Sequence, residues 1–192
     1  STLEKRNQMK QILTPLRNKL KELGLTRILM DMATTSLMSH HVLRIGVTGC
    51  SNTCISPYFC DFGIIVRYRP AAKSEGCTQC GKCAAYCSEK AITLGDSGPL
   101  FDYDKCVMCA GCTEVCDQGV IFIDRKGYKV VIGGTGARHP RIAETVADFA
   151  DINGVLQILE RAIRLLQETP MSGRVLSLRD VIAHHGLEKL RL

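Results

Sequence analysis

No cysteine precedes Cys50 and none follows Cys116 in this 192-residue chain, yet 11 cysteines crowd the stretch they bound. A disulfide framework spreads its thiols to close long loops, and thiols bunched two and three residues apart do not do that. Long apolar runs are missing as well, so nothing approaches the length of a membrane span. The opening STLEKRNQMK is charged and unlike an export signal. The expected setting is therefore cytoplasmic and reducing, where close-set thiols are metal ligands. Thiolates select soft metals: iron–sulfur clusters, zinc or copper(I). With 45% hydrophobic and 23% charged residues, the chain has enough apolar material to bury a core. A formal charge of +6 suggests, taken alone, nucleic-acid or membrane partners.

Apolar residues at Leu3, Met9, Ile12, Leu13, Leu16, Leu20 and Leu23 predict an amphipathic helical segment over residues 1–25, with a basic outer face. Thr14–Pro15 is expected to split it and Gly24 to end it. Residues 42–47 (VLRIGV), 62–68 (FGIIVRY) and 128–132 (YKVVI) read as strands. Beyond them the chain is expected to be helical. Ile152, Val155, Leu156, Leu159, Ile163 and Leu166 form one stripe that stops near Thr169–Pro170, and a shorter helix covers 178–185 before Gly186. The fold class predicted is α+β, interrupted by a small metal-bearing insert over residues 70–125.

That insert holds an internal repeat. Residues 77–94 (CTQCGKCAAYCSEKAITL) and 106–123 (CVMCAGCTEVCDQGVIFI) both begin C-x2-C-x2-C-x3-C. This is the bacterial ferredoxin spacing for two 4Fe–4S clusters. Three thiolates of a tight loop reach three corners of one cube, and the fourth crosses to the other. Cys77, Cys80, Cys83 and Cys116 are thus assigned to cluster 1, and Cys106, Cys109, Cys112 and Cys87 to cluster 2. Zinc needs only four ligands in two pairs, which leaves two complete runs unexplained. Ser88 and Asp117 stand where the usual pattern has proline, a residue that shapes the turn and is not a ligand.

Three cysteines remain in TGCSNTCISPYFCDFGI. Cys50, Cys54 and Cys60 are either small buried hydrophobes or a second metal-binding group. Residues 49–54 (GCSNTC) resemble the G-C-x-N-x-C element of the sirohaem-dependent sulfite and nitrite reductases. The two-cluster insert, the segment GYKVVIGGTGARHPRIAE and the ending LRDVIAHHGLEKLRL are similar to the same family's dissimilatory and anaerobic members. The resemblance covers roughly residues 42–192. It implies a sulfite-reductase-like mixed domain over 26–69 and 126–192. It also implies a role for Cys50 and Cys54 beside a cluster coupled to sirohaem. In the family a C-x5-C pair upstream completes that cluster, and no such pair precedes Cys50 here. Three outcomes stay open. These cysteines bind a third cluster, with a fourth ligand from His40, His41, solvent or another chain; they complete a site in a partner subunit; or the site is a relic.

The Gly133, Gly134, Gly136 and Arg138 turn offers either an anion-binding cofactor cradle or a tight strand-to-helix connection led by Pro140. Its glycine spacing is not the dinucleotide fingerprint. His184 and His185 are expected to be exposed or capping. The preferred function is an electron-transfer protein or subunit that docks a redox partner. The alternative is a sirohaem reductase subunit completing its active site with another chain. Residues 1–30 carry seven basic and two acidic groups, and residues 70–125 five and eight. Each oxidised four-thiolate cluster adds about −2, bringing the insert to about −7 and the holoprotein to about +2. That segregated pattern steers redox partners and is not a nucleic-acid footprint.

Overall fold

The computed structural model describes residues 2–32, 42–54, 56–136, 138–170 and 177–192. Helices α1 (Thr2–Glu22) and α2 (Leu25–Met32) come first, then strands β1 (Ile45–Thr48) and β2 (Phe62–Ala72). Short pieces follow: helix α3 (Lys82–Tyr86), the antiparallel pair β3 (Ile92–Gly95) and β4 (Gly98–Phe101), and helix α4 (Gly111–Glu114). The chain returns along β5 (Ile121–Ile132), crosses to β6 (Glu144–Ala150), and ends in α5 (Ile152–Glu168) and α6 (Leu178–His185). Among the described residues the main sheet runs β1-β2-β5-β6, parallel at β1/β2 and antiparallel elsewhere. No helix of the described residues is long and apolar enough to cross a membrane.

Every residue from Phe62 to Tyr68 is buried, as a central strand covered on both faces demands. Even positions Phe62, Ile64, Val66 and Tyr68 join Tyr128, Val130 and Ile132 of β5 and meet Val155, Ile158, Leu159, Ile163 and Leu166 of α5. Ile12 and Leu16 of α1 enter the same core. Odd positions Gly63, Ile65 and Arg67 face the other way, with register partners Val131, Lys129 and Gly127. The turn at Pro57–Phe59 lies so close to this second face that a Cβ on Gly63 would stand 2.5 Å from the Pro57 carbonyl oxygen. Asp151 starts α5 by accepting a hydrogen bond from the Gly154 N–H at 2.7 Å. Asp151→Ala should cost about 1 kcal/mol of stability, read as a lower melting temperature of the holoprotein.

The structure corrects several expectations. Helix α1 runs unbroken through Pro15. The missing N–H costs about 3 kcal/mol, but Ile12 and Leu16 flank the proline and are both buried, each contributing about 1.5–3 kcal/mol. Those contacts hold both halves in line and tie the 1–25 segment into the main core. The first strand is shorter than 42–47 and starts at Ile45, while β2 runs on to Ala72 and β5 starts as early as Ile121. A stretch expected to be helical after Ile132 instead contains β6, and no helix begins at Pro140. ETVADFA has few β-branched residues, and its strand state is imposed by pairing with β5. Helices α5 and α6 fall where the apolar stripes placed them, with Ser177 and Asp180 forming a capping box at α6.

Candidate metal centre

The two cysteine repeats fold into one backbone shape, copied. Gln79 and Met108, third in each C-x2-C, have φ of 60° and 52°. Gly81 and Ala110, just after each second cysteine, have 75° and 60°, and Lys90 and Gly119 have 50° and 61°. Left-handed non-glycine residues carry a steric cost, and such costs collect where function needs them. The reward here is that each loop turns its thiols inward, with α3 and α4 starting directly behind.

Two cavities result. One, of about 220 Å³, is lined by Cys77, Cys80, Cys83 and Cys116. The other, of about 360 Å³, is lined by Cys87, Cys106, Cys109 and Cys112, together with Cys50 and Asn52. Each wall contains three thiols of one repeat and the fourth of the other. Cys83, Ile92, Cys112 and Ile121 form a small buried cluster between them. The Lys82–Asp117 ion pair ties the repeats together at the first cavity.

This donor set fits four-iron clusters. Among the described residues no three His, Cys, Asp or Glu side chains close on a single ion, whereas thiols spread round a cavity can meet the corners of a multi-atom centre. Backbone N–H groups already point at the sulfurs: Met108 to Cys106 at 3.4 Å, Gly111 to Cys109 at 3.5 Å and Ala91 to Cys87 at 3.4 Å. Such donors stabilise sulfur-borne charge. Burial pushes the Cys112 thiol up to about 12, with the neighbouring Cys109 and Cys106 adding to it. Burial likewise raises Cys83 and Cys106. Exposed Cys80 is held below its ordinary value, first by the Lys82 N–H. A metal bound at the second set would have to displace protons from these thiols.

The second loop is docked on the scaffold where β1 stops. β1 covers β2 only to Ile65; beyond it, the Tyr68 N–H donates to the Met108 carbonyl at 2.8 Å, and Tyr68 bridges to Cys109. The Val107 carbonyl accepts from both the Ser51 hydroxyl and Arg67 Nη1, the latter at 2.6 Å. Arg67 Nη2 donates to Asp148 at 2.8 Å, and Lys129 reaches the same carboxylate at 3.1 Å. Burial works against the Asp148 carboxylate, but Arg67 and Lys129 outweigh it and hold its pKa below the usual range. Sequence reading did not single out Ser51 or Arg67. The available signal was one arginine inside the apolar run FGIIVRY.

The remaining three cysteines are not presented together. Cys50 borders the second cavity, Cys54 is exposed, and the Cys60 thiol lies 3.9 Å from the Ser56 carbonyl and against Gly46 of β1. Burial raises the Cys60 thiol, with Arg44 opposing it. His40 and His41 lie outside the described residues. In the glycine turn, the Gly133 N–H donates to the Asp61 carbonyl at 2.8 Å and the Gly134 N–H to Cys60 at 3.0 Å. Those two donors clamp the Cys60 segment and are not free for an anion. Gly136 and Arg138 are exposed. His185 hydrogen-bonds Thr169 Oγ1 at 3.1 Å, securing α6 to the end of α5.

Residues 25–192 match the nitrite and sulphite reductase 4Fe–4S domain. An uncharacterized protein of Methanocaldococcus jannaschii is 31% identical over 149 residues, covering 78% of this chain and 50% of that protein. The coenzyme F420-dependent sulfite reductase of the same organism is 33% identical over 95 residues, covering 50% of this chain and 15% of that one. Among solved structures, dissimilatory sulfite reductase I shares the fold with a TM-score of 0.53 at 14% identity, over 76% of this chain and 40% of that one. The chain thus spans half the length of the first relative and a smaller share of the other two.

Proposed function

The chain belongs to the nitrite and sulphite reductase 4Fe–4S domain family, and we propose that it acts as an iron–sulfur protein or subunit relaying single electrons through two 4Fe–4S clusters to a redox partner. The observation carrying this reading is the pair of adjoining cavities, each lined by four cysteines drawn from both repeats. Cys77, Cys80, Cys83 and Cys116 would hold the first cluster, and Cys106, Cys109, Cys112 and Cys87 the second. When bound, each cluster supplies a site that takes up and returns one electron. Residues 70–125 are then a ferredoxin insert on the family scaffold. Cys80, the exposed thiol of the first set, turns that site toward solvent. Ser51 and Cys50 join the second site to the family's G-C-x-N-x-C loop.

Iron analysis and an absorption spectrum of anaerobically purified protein test this. About eight irons per chain are expected, with a broad shoulder that dithionite bleaches. A clear iron excess that Cys60→Ser removes would assign a third cluster to Cys50, Cys54 and Cys60. A sharp Soret band would overturn the relay reading in favour of a sirohaem-carrying reductase subunit.

A further inference from the structure

Arg67 is 7% exposed, in the middle of the central strand, with its guanidinium turned to the face that carries the cysteine loops. A buried cation is costly unless its surroundings repay it. Here the returns are specific. Nη1 holds the Val107 carbonyl, which lies between Cys106 and Cys109 in sequence, and Nη2 holds Asp148. Its Nε has no hydrogen-bond partner among the described residues. Around the guanidinium, Arg67 and Lys129 bring two positive charges to the single Asp148 carboxylate, while Glu89, the carboxylate lining the second cavity, is exposed and screened by solvent. Asp148 is half-exposed, so solvent screens its charge more than that of Arg67. Among the described residues lining the first cavity there is no equivalent. Its Lys82–Asp117 pair is exposed on both sides and sums to zero.

We propose that Arg67 is a positioning residue for the second cluster, pinning the Cys106–Cys109 loop and placing a buried positive charge beside it that makes this the more readily reduced of the two sites. The inference rests on the two-cluster relay reading. Reduction adds negative charge to the site, and a fixed cation at low dielectric favours the more negative state. Electrons then run downhill from the solvent-facing first site to the second, beside the Cys50 loop.

A redox titration followed by electron paramagnetic resonance tests the role in the holoprotein. In Arg67→Met, the signal that Cys112→Ser abolishes should move to lower potential, and the other should stay in place. At the poise that half-reduces this site in the parent, about tenfold fewer of these centres should be reduced. Arg67→Lys keeps the charge and should restore most of the shift. Asp148→Asn removes the counter-charge, leaves the guanidinium, and should move the same signal the opposite way; it also serves if Arg67→Met fails to fold. Two signals in the parent, neither displaced in any variant that folds, overturn the Arg67 role alone. Fewer than two signals in the parent overturn the relay reading and this one with it.

Discussion

Cys112→Ser should halve the iron content, from about eight to about four per chain, and abolish one of two cluster signals. Cys112 is the strongest choice among the eight thiols because it is buried at the wall of the second cavity and packs against Ile121 and its neighbours. Its thiol is pushed up to about 12, so only metal draws off that proton at neutral pH. Serine is smaller, and its still less acidic hydroxyl would be left at a buried position. Cys50→Ser is the matched control. Cys50 borders the same cavity but belongs to neither repeat, so this variant should keep its full iron load. Loss of iron in Cys50→Ser with none in Cys112→Ser would overturn the ligand assignment.

Stripping the iron should melt the cysteine-rich stretch while the scaffold stays folded. The stretch between β2 and β5 has its own small cluster, in which Cys83, Ile92 and Cys112 pack against Ile121 at the start of β5, and two of these four are themselves proposed ligands; Ala91, Met108, Ala110 and Val120 are also buried apolar residues there. Few interactions other than metal binding offset the chain entropy of ordering those loops, or the left-handed strain at Gln79, Met108, Ala110 and Lys90. The scaffold has a separate core, in which Phe62, Ile64, Val130, Ile158, Leu159 and Ile163 are almost wholly buried. Hydrogen exchange by mass spectrometry of chelator-treated protein should show amides of residues 77–118 exchanging at least about a hundredfold faster, with β2 to Ile65 and α5 still protected. Undiminished protection of 77–118 without metal would sink the idea.

Much of this was legible in the sequence because it rests on local rules. The C-x2-C-x2-C-x3-C repeat announced its paired loops, and the spacing of Val155, Leu159, Ile163 and Leu166 announced α5. What escaped depends on distant partners. Pro15 looks like a helix breaker until Ile12 and Leu16 are seen buried on either side of it. β6 exists because β5 offers it a ladder, and the long β2–β5 ribbon carries the sheet into what read as the insert. Arg67 was hidden for the same reason: Val107 and Asp148, its partners, lie 40 and 81 residues away. The glycine turn stayed open between a cradle and a tight connection because spacing cannot reveal that Cys60 and Asp61 already occupy two of its donors.

The place where β1 ends has a consequence for handling and turnover. Past Ile65, the outer flank of β2 is covered by the second cysteine loop rather than by another strand, through Tyr68 to Met108 and Cys109. The second cysteine loop is thus also the cover on a sheet edge. Oxidative loss of that cover would bare unpaired peptide groups, the usual template for strand-to-strand self-association. On the proposed reading, damage to the second cluster site and exposure of this sheet edge would then be one event.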